Sequence, residues 1–242
     1  MLIPLKEVSR IIGKTPTGVV HVGAHKAEEM DGYENLEWVP VVWIEANPNL
    51  IPELKEMLEL RNATVEHAAV WSVSGKEIEF NIASNSQSSS MYEFGTHLKS
   101  YPNIIIENKI KIKTKTLDEI LEKYPNLNFL NMDIQGAELE ALKGLGKKIE
   151  QINYIYTEIN SKNVYEGCAT VKELDLYLSI SGFTRISTRW VIPNGWGDAL
   201  YIRNEIRLKL KLAKFKNIMK LIHYYAYDFP FILKRIIEKY FS

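Results

Sequence analysis

Through most of this chain, short β-branched runs without a polar face alternate with helical patterns. TGVVHV (17–22) is followed by a helical pattern from about Lys26 to Glu37, PVVWIE (40–45) by one from about Leu50 to Leu60, and NFLNMD (128–133) by one from about Ala137 to Leu145. A strand that is apolar on both sides must be covered on both sides, and helical crossovers do this for parallel strands. Between and after these units come ATVEHAAV (63–70), EIEFNI (77–82), the alternating KIKIKT (109–114), the short helix TLDEILEKY (116–124), NYIYTEI (153–159) and a helix over about 170–181. FTRIST (183–188) and DALYIR (198–203) then follow with no helix between them, which predicts an antiparallel hairpin at one edge. The expected fold is α/β: a doubly wound, Rossmann-like sheet, mostly parallel, over residues 1–203, with a basic amphipathic helical extension over 204–242.

Of the 242 residues 46% are hydrophobic, enough for a substantial core, and no repeat or Gly/Ser linker divides the first two hundred or so. The 30 basic and 30 acidic side chains cancel, so no overall field draws the molecule to nucleic acid. The charge is unevenly placed, because Arg203 and the residues after it hold 10 Lys/Arg against 3 Asp/Glu. The single Cys168 allows no internal disulfide and no zinc spacing. MLIPLKEVSR has no apolar stretch long enough for a signal peptide, and no segment has the length of a membrane-spanning helix. These features fit a cytoplasmic protein.

An open parallel sheet binds its ligand at the carboxyl ends of its strands, where the strand order reverses. HVGAHKAEE (21–29) follows the first strand: Gly23 allows a tight turn and the short side chain of Ala24 a close approach. Glu45 ends the second strand, twenty-two positions beyond Gly23, where a carboxylate can accept bonds from the two hydroxyls of a ribose. NAD would be served equally well by these two features. The dinucleotide signature needs three glycines, however, and a pyrophosphate here would meet Glu28 and Glu29. S-adenosylmethionine, with a sulfonium and an amino group and no phosphate, suits acidic neighbours better. An NAD-dependent enzyme and a non-catalytic docking module of the same fold are the competing readings.

Seven strings in fixed order resemble the FkbM family of methyltransferases: HVGAHKAEE, VVWIEANP (41–48), SQSSSM (86–91), KTLDEI (115–120), FLNMDIQGAELEALKGL (129–145), YTEIN (156–160) and WGDALYIR (196–203). The resemblance implies the methyltransferase variant of the Rossmann-like fold, S-adenosylmethionine as donor, and transfer to a hydroxyl of a sugar in a glycan or glycoconjugate. It implies a cofactor site from His21, Gly23, Ala24, Glu28, Glu45, Ala46, Asn47 and Asp133, with His67 and Ala68 where the adenine is held. Many members carry an acidic residue where His21 stands and a third glycine at Ala27, so the methionine end of the cofactor matches least well.

Methyl transfer from a sulfonium is an in-line displacement in which the protein holds the acceptor oxygen behind the methyl group. A sugar hydroxyl also needs a group to take its proton. Asp133 and Glu158, ending two strands, are candidates, as is His25 in the glycine loop. Asp133 has a second reading as a cap of the next helix, and His21, in an apolar strand, reads first as a hydrogen-bonded core histidine. Ser88, Ser89 and Ser90 lie in a long polar loop (81–108) and offer hydroxyls to a polyol; Gln135, Asn160, Trp196 and Asp198 complete the expected acceptor site. No metal-ligand spacing appears, and no metal is predicted.

In the extension, Leu208, Leu212, Phe215, Met219 and Ile222 recur at helical spacing, with Lys209, Lys214, Lys216 and Lys220 mainly on other faces. Such a helix can pack on its own domain, on a second subunit in a homo-oligomer, or peripherally on an anionic membrane. HYYAYDFPFIL, with Pro230, follows and should break the helix.

Overall fold

The structure, a computed structural model, describes residues 1–96, 98, 101–192 and 194–223, and of residues 214 and 221–223 the backbone alone. Its contacts separate two compact units, Met1–Arg203 and Asn204–Ser242. In chain order the first contains α1 (Leu5–Ile12), β1 (Val19–Val22), α2 (Met30–Asn35), β2 (Val41–Glu45), α3 (Ile51–Leu58), β3 (Ala63–His67), β4 (Ala69–Val70), β5 (Glu77–Ala83), β6 (Ile106–Lys115), α4 (Leu117–Leu121), β7 (Phe129–Met132), α5 (Glu138–Lys143), β8 (Tyr154–Asn160), α6 (Val171–Ile180), β9 (Phe183–Val191) and β10 (Trp196–Arg203). The second contains α7 (Asn204–His223). The stretch around Pro230 lies outside the described residues.

Seven strands form one sheet in the order β3-β2-β1-β7-β8-β10-β9. The first five of these run parallel, and β10 is antiparallel to both β8 and β9. This is the doubly wound α/β arrangement with its edge hairpin. From β1 the chain winds outward through β2 and β3, then returns to place β7 on the other side of β1, so the order reverses between β1 and β7. The crevice that this opens lies at the strands' carboxyl ends.

All residues of β1, β2, β7 and β8 are buried, the burial that parallel strands with helices on both faces require. One face is aliphatic, with Val20, Val22, Val42, Ile44, Leu130 and Met132 packed with Leu142 and Leu174. The other is aromatic. His21 stacks on Trp43 at 4.3 Å, Trp43 lies 5.9 Å from Tyr33, Tyr33 6.3 Å from Trp38, and Trp38 4.9 Å from Phe129. Each such side chain withdrawn from water contributes roughly 1.5–3 kcal/mol, so the strands that carry the site are held from both faces.

Three local outcomes differ from the sequence pattern. The helix expected from Lys26 is only α2, because His25 (φ 46°) and Ala27 (φ 51°) are left-handed and the chain turns before a helix can start. β5 and β6 leave the main sheet and, with β4, form a second one in the order β4-β6-β5. The helix α1 was not anticipated; Gly13, at φ 62°, ends it, and Val8 and Ile12 are buried. Where helices were expected, α3, α5 and α6 form with shorter ends.

Candidate active site

Glu45 sits at the tip of β2, and its carboxylate is fixed by backbone on both sides. Asn47 N donates to Oε1 at 2.7 Å and His25 N to Oε2 at 2.9 Å. Burial raises its pKa, while the bonds from Asn47 and His25 oppose that rise. A carboxylate has about four lone-pair positions, so each oxygen keeps one for a further donor. Beside it runs a narrow slot lined by Val22, Ile44, Ala68, Phe80, Met91 and Ile134. An apolar slot ending in a carboxylate with spare acceptors has the chemistry of a nucleoside site, apolar walls for a base and a carboxylate for hydroxyl donors.

Gly23 makes the turn from β1, and its φ of 89° is one that side chains rarely adopt. A Cβ there would lie 1.9 Å from the Asp133 carbonyl oxygen, so only glycine lets the tips of β1 and β7 meet. Past this point the slot opens into a cleft of about 520 Å3 lined by Glu28, Glu29, Asp133, Gln135, Glu158, Trp196 and Asp198, among others. Along β8, Tyr156, Glu158 and Asn160 alternate onto one face, and in β10 Asp198 and Trp196 lie opposite Glu158 and Asn160. The sheet register therefore gathers these side chains.

Gln135 bridges Asp133 and Glu158. Its backbone is left-handed at φ 55°, and its Nε2 donates to Asp133 Oδ1 at 2.6 Å and to Glu158 Oε2 at 3.2 Å. The Tyr165 hydroxyl donates to its Oε1 and the Ser90 hydroxyl to its carbonyl. Asp133 is exposed to the cleft, with protein packed around the rest of it. That partial withdrawal from bulk water, with the charge of Asp198 nearby, raises its pKa to about 6. Burial, then the charges of Asp133, Glu138 and Asp198, pushes Glu158 well above the usual range. Glu138, at the start of α5, accepts from the Ile134 and Gly136 backbones at 3.1 and 3.2 Å, and burial raises its pKa to about 7.

His25 stands where slot and cleft meet. Its Nδ1 donates to Glu28 Oε1 at 2.6 Å, and its Nε2 accepts from the Ser86 hydroxyl at 2.8 Å. Glu28 can only accept, so it holds a proton on Nδ1 and leaves Nε2 as the ring nitrogen that can accept.

The other expected residues are distributed as follows. His21 lines the cleft but is held from below by Trp43, Tyr33 and Asn131, and burial lowers its pKa to about 4; it is neutral. Ala46 lines the slot, whereas Ala24 and Asn47 are buried behind it and shape it through their backbones. Ala68 reaches the slot and His67 does not: that ring is exposed and bonds the Ala46 carbonyl at 3.2 Å. Of the three serines, Ser88 lines the cleft, Ser89 lines the slot, and Ser90 is spent on Gln135 and the Tyr92 amide. Asn160 is buried beside Glu158, with Nδ2 3.4 Å from Oε1 and Oδ1 without a donor among the described residues. Asp198 accepts from the Leu2 amide at 2.6 Å and from the Tyr156 hydroxyl.

Sequence reasoning missed Tyr156, Tyr165, Ser86 and the stretch before α1. Tyr156 was legible, since it is two residues before Glu158 and shares its face. The Pro4-to-Gly13 span, with Val8 and Ile12 one turn apart, also signalled a helix. Tyr165 comes from a loop bridged to Phe94, and no local pattern announces that.

Among curated proteins, 82 residues of this chain are 28% identical to the 2-O-methyltransferase NoeI of Sinorhizobium fredii, covering 33% of this chain and 34% of that one. A 69-residue stretch is 33% identical to the hexuronic acid methyltransferase AglP of Haloferax volcanii, covering 28% and 27%. The matched stretch thus spans about a third of these relatives' length. A solved S-adenosylmethionine-dependent methyltransferase from Aquifex aeolicus superposes with a TM-score of 0.47 at 14% identity, covering 84% of this chain and 90% of that one. Magnesium protoporphyrin IX methyltransferase from Synechocystis gives 0.45 at 9%, covering 82% and 77%. The family model for the methyltransferase FkbM domain matches residues 21–185, about two thirds of the sequence; the chain belongs to that family.

Proposed function

We propose that the chain methylates a hydroxyl oxygen of a saccharide, free or in a glycoconjugate, and that His25 takes the hydroxyl's proton. The observation that carries this is His25 itself, fixed by Glu28 with its Nε2 already 2.8 Å from a hydroxyl, at the junction of slot and cleft. An acceptor hydroxyl that displaced Ser86 from Nε2 would be within reach of a base. S-adenosylmethionine, when bound, supplies the electrophilic methyl group. Glu45 and Ala68 hold its nucleoside, and Asp133 and Glu28 face its cationic end. Trp196 offers a flat apolar surface and Asp198, Gln135 and Ser88 polar groups, the combination that suits a sugar ring. Both curated relatives have names that specify sugar or 2-O methylation, which supports the saccharide reading.

The test is incubation with labelled S-adenosylmethionine and an unmethylated glycan extract from the source, followed by mass analysis. A gain of one methyl on a sugar oxygen is expected; label confined to protein, nucleic acid or small amines would overturn the reading. In calorimetry, Glu45→Ala should weaken cofactor binding by about 1–3 kcal/mol, the scale for hydrogen bonds to a charged group. Unchanged affinity would place the ribose elsewhere.

A further inference from the structure

We infer that the sugar taken into this cleft carries no anionic group and is favoured when it bears a protonated amine: an amino sugar before a neutral one, and a neutral one before a uronate or sugar phosphate. This rests on the saccharide reading above and deepens it. Five carboxylates, Glu28, Glu29, Asp133, Glu158 and Asp198, line the cleft, and among the described residues no Lys or Arg does. None of the five pairs with a Lys or Arg side chain there: Glu28 is held by His25, Glu29 lies 3.6 Å from the amino group of Met1, and the others meet only neutral amides, hydroxyls and backbone. His21, the other ring on the cleft, is neutral.

The carboxylates also act on one another. Burial is the larger cause of the raised pKa of Asp133 and Glu158, and to it Asp198 adds at Asp133, and Asp133, Glu138 and Asp198 at Glu158; further negative charge in the cleft would meet the same repulsion. S-adenosylmethionine brings a net charge of about +1, from a sulfonium and an ammonium against one carboxylate, which leaves the cleft acidic. A uronate would be desolvated beside like charges, and among the described residues the cationic group on the cleft, the Met1 amino group, already lies 3.6 Å from Glu29, whereas an ammonium would find acceptors on every side. Trp196, at the cleft wall, can accept a cation on its face as well.

The experiment uses the full chain, labelled S-adenosylmethionine and three matched oligosaccharides built from glucosamine, glucose and glucuronate. The expected kcat/KM order is glucosamine, glucose, glucuronate, with at least about tenfold between first and last, narrowing as salt screens the charges. Glucuronate equal to or better than glucosamine would overturn the inference while leaving saccharide methylation intact. If none is methylated, calorimetry against the protein loaded with S-adenosylhomocysteine decides: the same order of affinity supports the inference, the reverse order overturns it, and no binding by any of the three removes the saccharide reading and this inference together. Asp198→Asn, whose carbonyl can still accept from Leu2 and Tyr156, and Glu29→Gln should each cut the glucosamine-to-glucuronate ratio several-fold. A ratio unmoved in both variants would mean that the cleft's charge does not select the acceptor.

Discussion

His25 contributes to the site twice, through backbone and through ring, and the two roles separate on mutation. Its N–H secures Glu45, and any residue can supply that bond; only the ring links Glu28 to Nε2 and the hydroxyl it meets. His25→Gln should therefore lower kcat by about 10²–10⁴, the usual worth of a positioned proton acceptor, and leave cofactor affinity within a few-fold. Rapid-quench kinetics together with calorimetry read the two separately, and equal losses in both would reduce His25 to a structural role. Glu138 poses a different question, because it is buried and, among the described residues, its hydrogen bonds come from backbone. Its folded pKa of about 7 exceeds its value in an unfolded chain. The stability it contributes is thus complete below about pH 4.5 and is lost as the pH climbs through 7. Asp133 and Glu158, also raised, act in the same direction. Glu138→Gln keeps the accepting oxygen and removes the charge, so its Tm should fall less than the wild type's between pH 5 and pH 8, with a difference of up to about 3 kcal/mol at the alkaline end. Parallel melting curves across that range would argue against an ionising Glu138.

At the scale of elements, the contact between the tips of β1 and β7 is the most demanding one. Gly23→Ala would drive a Cβ into the Asp133 carbonyl and force an unfavourable φ, which should remove about 3 kcal/mol or more of stability and abolish cofactor binding. Gly75, also at positive φ but with nothing within 4 Å of its would-be Cβ, serves as the control; Gly75→Ala should cost only about 1–2 kcal/mol of backbone strain in urea unfolding. The same two kinds of position explain what could be read from sequence. Runs such as VVWIE and FLNM announce themselves because apolarity on both faces is a local pattern with one structural solution. The departure of β5 and β6 into a second sheet depends on which distant strand pairs with which, and nothing within EIEFNI or KIKIKT encodes that. The slot shows the limit at single-residue resolution: His67 and Ala68 are neighbours, and the chain presents one outward and the other inward, so an error of one position exchanges a ring for a methyl. Glu45 was legible through its distance from Gly23. The ties of His25 to Ser86 and of Tyr165 to Gln135 span 61 and 30 residues, and only folding brings them together.

Across the whole molecule the charges are divided: the two signs balance in total, yet the chain from Arg203 onward holds 10 basic against 3 acidic residues. Helix α7 carries much of that excess. Leu208, Leu212, Phe215 and Met219 are exposed along one stripe at helical spacing, and Lys209, Lys216 and Lys220 border it. No helix among the described residues is long and apolar enough to cross a membrane, so contact with lipid would place α7 in the plane of the surface, apolar stripe inward and lysines at the headgroups. Each such lysine adds about 1 kcal/mol near an anionic surface. The full chain should then sediment with vesicles containing phosphatidylglycerol, far less with pure phosphatidylcholine, and less again at high salt. Replacing Lys209, Lys216 and Lys220 together by Glu should weaken vesicle binding by at least about a hundredfold, with affinity for S-adenosylmethionine unchanged because no cofactor contact is assigned to α7. Equal sedimentation with both lipids would mean that the stripe is meant for protein, and a concentration-dependent mass in solution, lost with Leu212→Glu, would identify a second copy of the chain as what covers it.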